Sequence, residues 1–172
     1  MLRSRFTELL ASNRKEIHDR WIARILAAYP QESAKFIGRE KDRFRNPIGS
    51  TLQEGTTAVL DALEAGGEAE ALRDAVEGMI RLRAVQVDKA SEAVSFIPAL
   101  ADVVKRVLGD SVTAEEVSKF ETRMEVLLLD AFDTYMQCRE KVFEIRLTEL
   151  RNRTFKLLER EGEVSLKRGA DR

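Results

Sequence analysis

His18 is the single histidine and Cys138 the single cysteine of the 172-residue chain. A metal centre needs several convergent ligands, and a catalytic triad needs a histidine oriented by a carboxylate beside a nucleophile. Around His18 stand only Glu16 and Asp19, and no Cys-x-x-Cys or His-x-x-x-His spacing occurs. His18 therefore reads as a surface or half-buried residue near Trp21 rather than a ligand. Cys138 falls on an apolar stripe and has no cysteine to pair with, as expected of a buried thiol. The helical acids Glu115, Glu116, Glu121 and Glu125 lack the Glu-x-x-His repeats of a di-iron bundle and read as a solvated face. Gly66-Gly67 is followed by Glu68, with no lysine placed to make a phosphate loop. The expectation is a chain that is not an enzyme, with no catalytic residue, no metal site and no cofactor.

Two stretches could bind a ligand. Arg39, Lys41, Arg43 and Arg45 precede a helix start at Asn46-Pro47. Free backbone N–H groups and a partial positive charge at a helix start, flanked by arginines, could hold an anion. The same residues also read as a plain asparagine cap beside solvated arginines. The second stretch is Arg81-Leu82-Arg83-Ala84-Val85-Gln86. Arg81 and Arg83 cannot share a helix face, so one of them leaves the surface to meet a ligand or to pair with an acid. Arg43, Asn46, Arg81, Arg83 and Gln86 are thus the candidate ligand- or anion-binding residues.

Composition narrows the partners. Twenty-nine basic and thirty acidic residues nearly cancel and are interspersed, which argues against a nucleic-acid binder. Apolar runs such as Val126–Leu129 are too short to span a bilayer, and Met1-Leu2-Arg3-Ser4-Arg5 does not lead into a signal peptide. A cytoplasmic protein without membrane insertion is expected.

The elements that position these residues all read as helices. Helical patterns cover 6–11 and 14–28, with Ser12 or Asn13 as a cap and Tyr29-Pro30 as the stop. Residues 31–45 read as charged and irregular, with one helical turn around 34–37. A helix opening at Asn46-Pro47 ends at Gly66-Gly67, and another covers 69–85. A further one begins near 89–91 and ends at Gly109, with Pro98 kinking it or marking a break. Thr113-Ala114-Glu115-Glu116 fits a capping box.

No proline or glycine interrupts the chain from Thr113 to Glu161. Phe120, Met124, Leu127, Ala131, Tyr135, Cys138, Val142 and Ile145 form one stripe suited to a globular core. Phe143, Leu147, Leu150, Thr154, Leu157, Glu161 and Val164 follow a displaced, stricter heptad. The expected fold is an all-α helical bundle with a long projecting C-terminal helix. Its parts are a domain over 1–145 and a coiled-coil-like extension over 146–172 with a frayed tail. Phe143, Leu147, Leu150 and Leu157 are the expected dimerisation residues, making a homodimer the first expectation.

Four segments carry a resemblance. Tyr29-Pro30, Asp42-Arg43-Phe44-Arg45-Asn46-Pro47-Ile48-Gly49, Arg81–Gln86 and Ser91-Glu92-Ala93-Val94-Ser95-Phe96 occur in the order and spacing of one family. Over roughly residues 8–145 the chain resembles the RsbRD-type N-terminal sensory domain, found at the front of RsbT co-antagonist proteins of bacterial stress signalling. The resemblance implies a cytoplasmic helical sensor that dimerises, with a globin-like arrangement without haem as a fold. The axial histidine of a haem globin is missing between residues 83 and 101. The stretch Val87-Asp88-Lys89-Ala90 lacks a proline expected before the following helix. Such proteins continue into a STAS domain, for which this chain has no room, so direct antagonism through a phosphorylated STAS surface is not expected.

The expected function is a stand-alone, non-enzymatic sensory or regulatory module that binds a small molecule or a signalling protein and signals through a dimerising helix. The alternative is a structural adaptor whose long helix docks onto a multiprotein complex.

Overall fold

The computed structural model describes residues 4–170 apart from 41 and 88, with side chains through residue 159. The described residues form eight α-helices and no strand. They are α1 (Arg5–Ser12), α2 (Arg14–Leu26), α3 (Gln31–Arg39), α4 (Pro47–Glu64), α5 (Ala69–Gln86), α6 (Ala90–Ala93), α7 (Phe96–Leu108) and α8 (Ala114–Ala170). The protein is an all-α bundle with a long C-terminal helix. By compactness the chain divides into two units, residues 1–136 and 137–172.

In the first unit, α4 and α5 form a hairpin and α2 packs on α7. The hairpin turns at Gly66 and Gly67, whose φ values of 126° and 71° suit glycine alone. The Gly67 N–H donates to the Ala62 carbonyl at 2.8 Å, closing the end of α4. Ile17 and Trp21 of α2, Val59 and Leu60 of α4, Met79 and Ile80 of α5, and Ile97 and Leu100 of α7 are all buried. Each such side chain contributes roughly 1.5–3 kcal/mol by leaving water. From α8, Phe120, Met124, Leu127, Ala131 and Tyr135 join them, and Phe120 meets Phe6 of α1 with ring centroids 5.4 Å apart.

The sequence places these helices well but errs at several ends. Residues 31–39 form a full helix rather than one turn. Pro30 fixes the entry to α3, and buried Ile37 anchors it against the unit. Asn13 precedes α2 without capping it through its side chain, and Ser12 lies inside α1, which Ser4 caps instead. Pro98 sits in the first turn of α7, where a missing N–H costs nothing; the break lies before it, at Val94 and Ser95.

The core stripe of α8 stops at Tyr135. Cys138 and Val142 are half-buried and Ile145 is exposed, so the last three residues expected on that stripe leave the core. From residue 137 to 159 no side chain is buried. The helix continues through Gly162 to Ala170. One glycine costs only about 1 kcal/mol, and the neighbouring Glu, Leu, Lys and Arg are good helix formers. The side chains of Glu161 and Val164 lie outside the described residues.

Candidate functional site

The two candidate binding stretches fold into two separate junctions. At the α3–α4 junction Asn46 is buried. Its Oδ1 accepts the Gly49 N–H at 2.9 Å, capping α4. Its Nδ2 donates to the Ile37 carbonyl at 2.9 Å and the Glu40 carbonyl at 2.7 Å, closing the C-terminal end of α3. Gly49 is required by this packing, since a Cβ there would stand 2.1 Å from Asn46 Nδ2 and 2.6 Å from the Ile37 oxygen. Arg43 is exposed and lies 3.4 Å from Glu54, and Arg45 lies 3.5 Å from Glu40. Lys41 lies outside the described residues.

The second junction gathers α2, α5, α6 and α7. Arg81 and Arg83 diverge as their spacing requires. Arg81 stays at the surface and pairs with Glu77 one turn back at 2.6 Å. Arg83 turns inward and is only 7 % exposed. Its guanidinium stacks over the ring of Tyr29, 5.4 Å from the centroid. Its Nη2 donates to the Glu92 carbonyl at the end of α6, 3.3 Å away. The Tyr29 hydroxyl in turn donates to Gln86 Oε1 at 2.8 Å. Tyr29 thus joins Arg83 and Gln86, two of the five candidates; among the described residues no contact links them to Arg43, Asn46 or Arg81.

Neighbouring contacts hold this junction in shape. The Glu92 carbonyl also accepts the Ser95 hydroxyl at 2.8 Å. The Trp21 indole Nε1 donates to the Phe96 carbonyl at 2.7 Å, fixing the start of α7 to α2. The Tyr135 hydroxyl donates to the Val87 carbonyl at 2.9 Å, just past the end of α5. Between these elements lies a cavity of about 40 Å³ lined by Arg24, Leu52, Arg83, Ser95, Phe96 and neighbours. Arg24 is already neutralised by Asp102 at 2.5 Å. Asp102 is held below the usual carboxylate range by a hydrogen bond from Arg106, with Arg24 adding to it.

Tyr29, Trp21 and Glu92 were not singled out as site residues from the sequence. Tyr29 is 57 residues from Gln86 and its contact is purely tertiary, so local spacing carries no trace of it. The inward turn of one of the two arginines was the single usable signal.

On α8 the expected dimerisation residues Phe143, Leu147, Leu150 and Leu157 are all exposed. Leu129 and Met136 are also exposed and extend the same seven-residue spacing: 129, 136, 143, 150 and 157. The sequence reading passed over them because it followed the core stripe in that region. Among the described residues no group of three or more His, Cys, Asp and Glu side chains converges as a metal site. None of the described helices is long and apolar enough to cross a membrane.

The family described as the RsbT co-antagonist protein rsbRD N-terminal domain matches residues 15–150. An uncharacterized protein of Archaeoglobus fulgidus is 33 % identical over 140 residues, covering 80 % of this chain and 84 % of the relative. No solved structure matches the chain. The match spans both junctions and most of the folded unit, and the chain belongs to the RsbT co-antagonist protein rsbRD N-terminal domain family.

Proposed function

We propose that this chain is a non-enzymatic sensory or regulatory module of the RsbR co-antagonist type in stress signalling, working in the cytoplasm as a homodimer. The observation that carries the reading is the exposed heptad row on α8. Leu129, Met136, Phe143, Leu150 and Leu157 recur every seven residues with water on all of them. A strict seven-residue apolar repeat is the seam of a supercoiled helix pair. Leu147, three residues before Leu150, fills the companion position of one heptad. Exposed apolar side chains repeated at this spacing along a helix mark an interaction surface.

In such a pair the bundle receives and the helices transmit. An input does work only by binding one arrangement of the helices more tightly than the other, so its effect is bounded by that difference in affinity. Buried Arg83, stacked on half-buried Tyr29 that reaches exposed Gln86, supports an input site, because the three tie the end of α5 to the segment after α2 and to α6.

Replacing Leu147 and Leu150 together with Glu tests the reading. Both are exposed, so the bundle stays folded, while two acids per helix face two more across the seam. Light scattering after size exclusion is expected to show the dimer mass for the native chain and half of it for L147E/L150E. A native chain that is monomeric at every accessible concentration would instead favour an adaptor whose helix pairs with a different protein. An unchanged dimer in the double variant would place the interface elsewhere.

A further inference from the structure

Arginine is a permanently cationic side chain, yet only 7 % of Arg83 is exposed. What surrounds the charge is a ring face, that of Tyr29, and one carbonyl, that of Glu92. Among the described residues it has no carboxylate partner. Every other arginine the structure places in an ion pair, from Arg14 with Asp61 and Glu64 to Arg106 with Asp102, is more exposed than this one. Among the described residues the most buried arginine therefore lacks the anion that the less buried ones possess. Taking a cation out of water carries a large penalty, which ring quadrupoles and a single dipole offset only in part.

The side chain of Arg83 forms part of the wall of the cavity of about 40 Å³. A single water needs roughly 10–15 Å³, so the space admits an occupant of a few heavy atoms and no more. Its walls beyond the arginine are largely apolar: Ile25, Ala28, Leu52 and Phe96. Ser95 stands at the rim with its proton committed to the Glu92 carbonyl. Arg24, the other cation there, is already paired with Asp102. Among the described residues that line the cavity, the one cation without a carboxylate partner is thus Arg83, whose guanidinium is itself weakly hydrated.

We propose that Arg83 and this cavity bind one small, weakly hydrated, monovalent anion, of the size of a halide or formate. Phosphate esters and dicarboxylates are excluded by the volume and by the presence of only one free positive charge. As the signal of the helix pair the anion rests on the regulatory reading above; its binding does not.

The protein carries its own reporter. Trp21 is the single tryptophan, is 1 % exposed, and donates its indole hydrogen to the carbonyl of Phe96, a wall of the cavity. Burial shields it from collisions with ions in bulk, whereas a heavy halide in the cavity sits within a residue of the indole. The experiment is a bromide and iodide titration of the intact chain at constant ionic strength, balanced with fluoride, reading tryptophan fluorescence. The expected result is quenching that saturates, is relieved by chloride or formate, and disappears in R83M with the helical circular dichroism unchanged. Whichever of chloride or formate relieves it at the lower concentration identifies the natural class of occupant. R83K, which keeps charge without the planar fork, is expected to shift half-saturation upward by about tenfold and covers the case in which R83M does not fold. Quenching that is absent or strictly linear in the native chain overturns the proposal, as does saturable quenching that survives in R83M. The dimer test reads mass and this one reads fluorescence, so either reading can fail alone.

Discussion

The α3–α4 junction and the α5–α6–α7 junction are each organised by one buried polar side chain, yet they close in opposite ways. Asn46 commits both of its amide hydrogens and accepts as well: its oxygen takes the Gly49 N–H and its nitrogen serves two carbonyls. No donor of Asn46 remains to hold an anion, and Arg43 and Arg45 stay in solvent, where they meet acids at 3.4 and 3.5 Å. Arg83 is as deeply placed but is met by a ring and a carbonyl, with charge left over. A buried group whose donors are all committed belongs to the architecture, whereas a buried charge with no counter-charge among the described residues is open chemistry. The two junctions look alike in the sequence, as arginines near a helix end, and the completeness of the bonding separates them.

If Asn46 is purely architectural, removing it should have the largest effect on stability of any change discussed here. N46A loses a cap and leaves the Ile37 and Glu40 carbonyls without their donor, a loss of about 3 kcal/mol. For a chain of this size that is roughly 6–12 °C in melting temperature, read by thermal circular dichroism. N46D sharpens the point. A simple cap tolerates aspartate as well as asparagine, but here the second carboxylate oxygen would face two carbonyl oxygens. N46D should therefore melt as low as N46A, and a near-native N46D would reduce Asn46 to an ordinary cap.

Arg83 should behave differently. R83M removes the charge together with the penalty of burying it, and leaves the Glu92 carbonyl still paired with Ser95. The net stability loss is expected at about 1 kcal/mol, close to the stacking on Tyr29 that disappears. The same melting experiment checks it. A loss as large as that of N46A would make Arg83 a structural keystone like Asn46 and erase the distinction between the junctions.

How much of this was readable beforehand follows from the range of the interactions. The ends of α4 and α5, the Gly66-Gly67 turn and the capping box at Thr113 are set by residues within four positions of each other, and the sequence marks each of them. The buried stripe from Phe120 to Tyr135 was also visible, because helical periodicity is local. Its end was not, since nothing at Cys138, Val142 or Ile145 differs in type from the residues before them; where a core stops depends on what lies opposite. The length of α3 beyond the single expected turn has the same origin, its anchor being the tertiary burial of Ile37. For the site, the divergence of Arg81 and Arg83 follows from helix geometry alone. Which of the two turns inward, and that Tyr29 receives it, depends on a contact across more than fifty residues.

A third junction provides the local extreme of the comparison. At the start of α8 the Thr113 N–H donates to Glu116 Oε2 at 2.8 Å, and the Glu116 N–H donates to Thr113 Oγ1 at 3.2 Å. Each partner satisfies the other within four residues, at the surface, with no help from the rest of the fold. The hydrogen bond from the Thr113 backbone lowers the Glu116 pKa first, the Thr113 hydroxyl and nearby Arg5 and Lys119 add to it, and partial burial opposes them. A carboxyl whose folded pKa lies below its unfolded value contributes stability above the unfolded value and loses it as pH falls through the folded one. E116Q should therefore melt slightly below the native chain at neutral pH. The difference should shrink as the pH is lowered through the carboxylate range, because protonation gives native Glu116 the same neutral charge as the glutamine. Melts of the two chains across that range measure it, and the effect should be the smallest of the three because water competes for every bond involved. A gap between them that holds constant into acid would mean that the amide changes something other than charge, and the junction would no longer count as a purely local device.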